Sequence, residues 1–241
     1  MKLNNNTVLI TGGTSGIGYA LGQALLQRNN QVILLGRNKA KLEQLATEGF
    51  ETVVCDLTSE ESIEKAVLVI QNQYSDLNLL FNNAGIQFNY DFVESIHPSE
   101  RIKQELEVNF TGQVILTQLL LPILSNAPKA WIINTTSALG IFPKTNGLLY
   151  SASKSAMRNF TLGLKYTLKR TSIKVLEFIP PVTDTPMTAG RNETKMSAQD
   201  LTGRILPQLA KEKSIVTIPK IRLFSWIAFL FPALAHKILS K

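Results

Sequence analysis

Apolar residues fall into two patterns along this chain: short unbroken runs, and longer stretches in which they recur every three or four positions. The runs read as strands at Val8–Thr11, Val32–Leu35, Glu51–Cys55, Leu79–Asn82, Trp131–Thr135 and Lys174–Ile179, with a seventh at Ile215–Ile218. The spaced patterns read as helices over Ile17–Arg28, Lys39–Ala46, Glu60–Gln73, Arg101–Leu124 and Ala152–Lys169. Strands apolar on both faces are buried on both faces, so their alternation with helices predicts a parallel sheet covered on each side. Right-handed crossovers then make it a doubly wound, Rossmann-like α/β fold of about seven strands. No Pro/Gly/Ser-rich linker or repeat divides the chain, which is therefore expected to be one domain over residues 1–241.

Ligands of open α/β sheets bind beyond the carboxyl ends of the strands, so polar residues just past strand ends are the candidates for chemistry. The first strand ends in "TGGTSGIG", with Gly12, Gly13, Gly16 and Gly18 crowded where strand should turn into helix. Glycine weakens both elements, and its clustering there lets a bulky anion approach the backbone. Gly12 permits a tight turn, Gly16 admits a pyrophosphate and Gly18 allows close helix–strand packing, while the helix N-terminus supplies free N–H groups. The loop is not a Walker loop, because no Gly-Lys-Ser/Thr follows.

Composition narrows the partners. With 44% hydrophobic and 18% charged residues the chain is globular, and its net charge of +7 suits an anionic cofactor, an acidic membrane surface or nucleic acid. The absence of a dense Lys/Arg tract and of zinc or aromatic RNA-binding signatures argues against nucleic acid. The single cysteine, Cys55, forms no internal disulfide and reads as a buried thiol. His97 and His236 have no Cys/His/carboxylate cluster around them, so no metal site is expected. Asn4–Asn6 interrupt the start of the chain where a secretory signal needs apolar residues, so a cytoplasmic location is expected.

Tyr150 and Lys154 are four apart, which on a helix puts their Cβ atoms about 5–6 Å apart on one face. A free tyrosine titrates near pH 10, and a nearby ammonium favours its phenolate. Lowering it to about 7 requires roughly 4 kcal/mol of differential interaction, and would make Tyr150 a general acid/base at neutral pH. Ser137, just past "WIINTT", lies where a hydroxyl could donate to a substrate carbonyl oxygen.

"TGGTSGIG" (Thr11–Gly18), "NNAG" (Asn82–Gly85) and "YSASK" (Tyr150–Lys154) resemble, in order and rough spacing, the signatures of the short-chain dehydrogenase/reductase family. "CDLT", "LFNNAGIQ" and "PPVTDTPM" further resemble bacterial members labelled DltE-like. The resemblance runs from about Thr7 to Met187 and implies a cofactor and catalytic core there, with residues 188–241 a variable substrate loop and apolar tail. It implies that Gly12, Thr14, Ser15, Gly16, Ile17 and Gly18 form the pyrophosphate turn. Asp56 and Leu57 lie at the adenine, Asn83, Ala84 and Gly85, with Asn82, beside its ribose, and Pro180, Thr183 and Thr185 near the nicotinamide. Asp56 also reads as a turn residue before "LTSEE". Ser137, Tyr150 and Lys154 are implied to be catalytic, Lys154 also bonding the nicotinamide ribose, while Asn109 holds a water that links Lys154 to solvent. Pro181 and Thr183 replace the family's usual Gly and Val.

An NAD(H) site has a carboxylate about 20 residues past the glycine turn. Here "VILLGRN" offers Gly36 and then Arg37, so NADP(H) is expected, with Arg37 the main 2′-phosphate ligand and Thr14 or Ser15 assisting. The competing reading of Arg37 is a solvated charge at a helix start. The expected activity is hydride transfer between the nicotinamide and a small-molecule carbonyl or alcohol. The alternative is a non-catalytic NADP(H)-binding sensor or scaffold; an epimerase or dehydratase needs more chain than follows Pro186.

"TAGRNETKMSAQD" (Thr188–Asp200) is polar and reads as a mobile lid. Leu223–Ala235 is apolar, broken by Pro232 and flanked by Lys220, Arg222, Lys237 and Lys241. It is too short to span a bilayer. Packing against the body or a sister subunit, covering a lipophilic substrate, and weak membrane-surface association all fit it. The resemblance also implies a homodimer or homotetramer built on the two long helices.

Overall fold

A computed structural model describes residues 1–233. His236, Lys237 and Lys241, and the end of the apolar stretch, lie outside the described residues. The strands are β1 (Thr7–Thr11), β2 (Gln31–Gly36), β3 (Glu51–Val54), β4 (Leu77–Asn82), β5 (Ala130–Thr135), β6 (Ile173–Ile179) and β7 (Ile215–Thr217). All pair in parallel, in the order β3-β2-β1-β4-β5-β6-β7. The order reverses between β1 and β4, so the switch point opens at their carboxyl ends.

The period of two explains why the strands look uniformly apolar. Leu9, Ile33, Leu80 and Ile132 share one face of the sheet, while Val8, Ile10, Leu34, Phe81 and Ile133 share the other. On the first face α3 (Glu60–Gln73) contributes Ile63, Val67 and Ile70, and α5 (Gly112–Asn126) contributes Leu116 and Leu120. On the second, α1 (Gly16–Leu26) packs Leu21 and Leu25, and α2 (Lys39–Ala46) packs Leu42 and Leu45. Asn38 and Ser59 cap α2 and α3 by accepting the N–H groups of Lys41 and Ser62.

Three helices differ from expectation. The pattern over Arg101–Leu124 resolves into α4 (Ser99–Leu106) and α5, joined by a π-helical turn over Glu107–Thr111. The extra residue per turn rotates Asn109 inward, which is why a polar side chain occupies a helix interior there. A helix read from Ala152 starts earlier, as α6 (Leu148–Thr167), so Tyr150 is already in its first turn. The helix α7 (Ala198–Ala210) was not anticipated. Pro207 within it masks an apolar face of Leu201, Ile205 and Leu209 that packs beside α1 on the second core.

The tail forms α8 (Pro219–Leu230), whose Phe224 meets Phe142 edge-on at 6.2 Å while Ala228 is buried beside it. Its other face leaves Leu223, Trp226 and Phe229 exposed.

A buried polar chain ties the sheet to α6. The Asn82 amide donates to Asn134 Oδ1 at 2.8 Å, and Asn134 donates to Thr161 on α6 at 2.9 Å. Asn134→Ala removes two buried hydrogen bonds, leaving Asn82 Nδ2 only Thr117 and Thr161 Oγ1 only the Met157 carbonyl, and each lost bond costs about 0.5–1.5 kcal/mol. Urea unfolding is expected to show a lowered midpoint with an unchanged slope.

Candidate active site

The glycine turn is held between two other loops. Gly12 and Gly16 have φ of +63° and +56°. A Cβ on Gly12 would stand 2.7 Å from the Cα of Ala84, and one on Gly16 would stand 2.8 Å from Thr185 Cγ2. Left-handed backbone and absent space both demand glycine there. Gly18 lies underneath, where a Cβ would meet the Gly12 carbonyl oxygen at 2.4 Å, so it lets α1 pack rather than lining the cleft. Ser15 occupies the N-cap of α1, yet its side chain accepts no hydrogen bond from the first turn, which carries no acidic residue. Unsatisfied N–H donors at a helix N-terminus fit a phosphate group.

From this turn a cleft of about 630 Å³ runs across the carboxyl ends of the strands. It brings together Gly12, Thr14, Ser15, Gly16, Ile17, Arg37, Asp56, Leu57, Asn83, Ala84, Gly85, Tyr150, Lys154, Pro180 and Thr185. Thr14 packs beside Gly36 next to Arg37, where a Gly36 Cβ would stand 2.9 Å from its methyl group. Asp56 accepts through Oδ1 from the Thr58 N–H and hydroxyl at 3.0 and 2.9 Å, so it both builds the turn and faces the cleft. Asn82 is instead buried in the polar chain under the sheet. Thr183 is buried too, donating to the Pro181 carbonyl at 2.9 Å, and does not line the cleft. Ile86, Gln87, Phe88, Thr136 and Met187 line it without having been singled out; all but Phe88 fall inside the stretches "LFNNAGIQ", "WIINTT" and "PPVTDTPM", and loop packing brings them to the cleft.

At the far end, Lys154 is 2% exposed and donates through Nζ to the Thr135 carbonyl at 3.0 Å. Its Nζ lies 5.7 Å from the centroid of the Tyr150 ring. Burial lowers the Lys154 ammonium to about 8. Burial likewise pushes the Tyr150 phenol up to about 12, against a lowering contribution from its hydrogen bond with Ser137 and a smaller one from the Arg191 charge. In this structure the phenol is therefore not lowered toward neutrality, since desolvation outweighs the Ser137 hydrogen bond and the Arg191 charge. Ser137 also accepts the Leu139 N–H at 3.2 Å, which fixes its side chain just past β5.

Asn109 is a clamp. Its Oδ1 accepts the Ile86 N–H at 2.8 Å, and its Nδ2 donates to the Ile86 carbonyl at 2.9 Å and to Ser153 Oγ at 3.1 Å. Its Oδ1 and Lys154 Nζ would flank a Cβ on Gly85 at 3.4 and 3.6 Å. The side chain thus orients the loop after β4 against α6. Nearby, Met196 joins the Thr188–Asp200 segment to the chain after β6: the Asp184 N–H reaches the Met196 carbonyl at 2.8 Å, and the Met196 N–H reaches the Val182 carbonyl at 3.0 Å. Cys55 is buried at the cleft wall, and desolvation raises its thiol to about 11. His97 stacks on Tyr90 with ring centroids 3.9 Å apart.

Parallel strands reversing order above a glycine-lined nucleotide cleft, with a tyrosine–lysine pair at its end, define an oxidoreductase of the Rossmann type. The short chain dehydrogenase family matches residues 6–196. The chain is 38% identical over 206 residues to the uncharacterized oxidoreductase DltE of Bacillus subtilis (strain 168), spanning 85% of this chain and 80% of that one. A short chain dehydrogenase from Burkholderia cenocepacia J2315, crystallised in complex with NADP, superposes with a TM-score of 0.89 at 25% identity over the whole of both chains. A short chain dehydrogenase/reductase from Burkholderia phymatum in complex with NAD superposes at 0.82 with 20% identity, over 95% of this chain and 96% of that one. The chain thus belongs to the short chain dehydrogenase family.

One buried acid behind the site makes stability depend on pH. Glu105 on α4 is fully buried; its Oε1 accepts the Phe88 N–H at 3.3 Å while Oε2 has no partner among the described residues. Burial raises it from 4.5 to about 7. The folded state therefore binds more protons than the unfolded one between those values, so stability falls as pH rises through that window. Thermal midpoints of the wild type are expected to drop from pH 4.5 to pH 7 relative to Glu105→Gln, whose profile stays flatter.

Proposed function

We propose that this protein is an NADP(H)-dependent carbonyl reductase or alcohol dehydrogenase in which Tyr150 is the general acid in reduction and the general base in oxidation. The observation that carries the reading is the meeting of Tyr150 and Lys154 at the end of the cleft that begins at the glycine turn, with Ser137 hydrogen-bonded to the Tyr150 phenol. A bound nicotinamide nucleotide supplies the hydride chemistry and, when oxidised, a positive charge beside the phenol. Gly12, Ser15, Gly16 and Ile17 hold its phosphates at the N-terminus of α1. Tyr150 keeps its proton in the free chain, the form needed to protonate a developing alkoxide. Ser137 donates a hydrogen bond to the same oxygen. Lys154, held by Thr135 and lining the cleft, favours the phenolate in the reverse reaction.

The structural relatives carry either nucleotide, so the choice rests on Arg37. This cation follows β2 directly, lines the cleft and makes no ion pair among the described residues. A guanidinium binds a 2′-phosphate bidentately. On the same footing we read one domain, working in the cytoplasm as a homo-oligomer. Support for assembly comes from exposed Leu162 and Tyr166 on α6 and from the apolar face of α8, which also suits a membrane surface.

Cofactor oxidation followed by absorbance, with NADPH and NADH in parallel against aldehydes, ketones and 3-oxoacyl esters, tests the reading. Turnover is expected with NADPH, falling by about a hundred- to ten-thousand-fold in Tyr150→Phe. Tight NADPH binding without turnover would favour the sensor alternative. Arg37→Ala is expected to raise the KM for NADPH by about 10- to 150-fold while leaving that for NADH nearly unchanged, the loss of a charge-assisted contact of ~1.5–3 kcal/mol.

A further inference from the structure

Arg191 sits in the segment between β6 and α7, half-buried, and donates through Nη2 to Gln87 Oε1 at 2.8 Å and to the Met187 carbonyl at 3.2 Å. Gln87 and Met187 both line the cleft. The Met187 methyl would lie 3.6 Å from a Cβ on Gly85, the same distance as Lys154 Nζ, so Arg191 is anchored to the wall of the catalytic end. Its positive charge acts on the Tyr150 phenol. A guanidinium has five N–H donors. Those on Nε and Nη1 have no protein partner among the described residues.

The acids that could neutralise it are engaged elsewhere. Glu193, two residues on, pairs with Lys144 at 3.7 Å, and Asp184 pairs with Lys195 at 4.0 Å. Glu105, whose charge also reaches Tyr150, forms no ion pair with Arg191 and accepts from Phe88. Arg191 is thus a partly dehydrated cation, oriented by two neutral acceptors, with its planar donor edge unused. Such an edge matches a carboxylate bidentately, and pairing compensates the lost hydration.

We propose that Arg191 recognises a negatively charged group on the substrate, so that the carbonyl compound or alcohol handled at Tyr150 carries a carboxylate. This rests on the hydride-transfer reading and adds to it the class of substrate.

Binding to the NADP⁺-saturated protein, measured by calorimetry, tests this without turnover. The probes are para-carboxybenzaldehyde and succinic semialdehyde, each against its methyl ester. At least one acid is expected to bind about tenfold or more tightly than its ester, as a charge-assisted pair implies. Arg191→Gln should erase that advantage and leave ester binding and NADP⁺ affinity unchanged, while Arg191→Lys keeps part of it. The proposal is overturned if neither acid outbinds its ester, if the advantage survives in Arg191→Gln, or if that variant loses NADP⁺ affinity instead, which would assign Arg191 to the nucleotide. Reduction of the esters by NADPH in the wild type, absent in Tyr150→Phe, tests the underlying reading separately, since the esters carry no charge for Arg191 to pair.

Discussion

The site depends on a close approach of three backbone segments at the carboxyl end of β1. Gly12 and Gly16 carry positive φ, one pressed against Ala84 after β4 and the other against Thr185 after β6. Because no side chain separates them, the N-terminus of α1, the loop after β4 and the loop after β6 share one wall. Any larger residue at either position pushes these loops apart, and with them the two ends of the cleft. The parallel sheet makes this possible, since only strands running the same way deliver all their following loops to one edge.

Burial then acts on the catalytic end in two opposing directions. It holds Lys154 at Thr135 and lowers its ammonium, and it raises the Tyr150 phenol more than Ser137 and Arg191 lower it. The free chain is therefore set with the tyrosine protonated, suited to giving a proton. The same low dielectric leaves Glu105 an acid near neutrality, and the π-helical turn that follows it brings Asn109 onto the Ile86 backbone. The helix irregularity and the loop it grips form one device that places the β4 loop over α6.

The strands and the order of the helices were legible because local pattern alone decides them. An unbroken apolar run in a chain of this composition has only a doubly covered sheet to enter, and the glycine turn and the Tyr-x-x-x-Lys spacing are local in the same sense. Helix α7 was missed because Pro207 interrupts its pattern, and its apolar face makes sense only once α1 is beside it. Gly18 lies beneath the turn as the packing glycine its motif implies, while Thr183, placed near the nicotinamide by its motif, has a buried side chain.

The sequence by itself determined the fold class, the position of the glycine turn and the residue types at the far end of the cleft, since each follows from spacing within one element or at one strand end. Tertiary structure decided which side chains meet. The Asn109 clamp on Ile86, the burial of Glu105, and the Arg191 guanidinium anchored by Gln87 across more than a hundred residues of chain all join segments whose separation no local pattern encodes. Their energies come from desolvation and from partners on other loops, and those quantities exist only after the sheet has brought the loops to one edge.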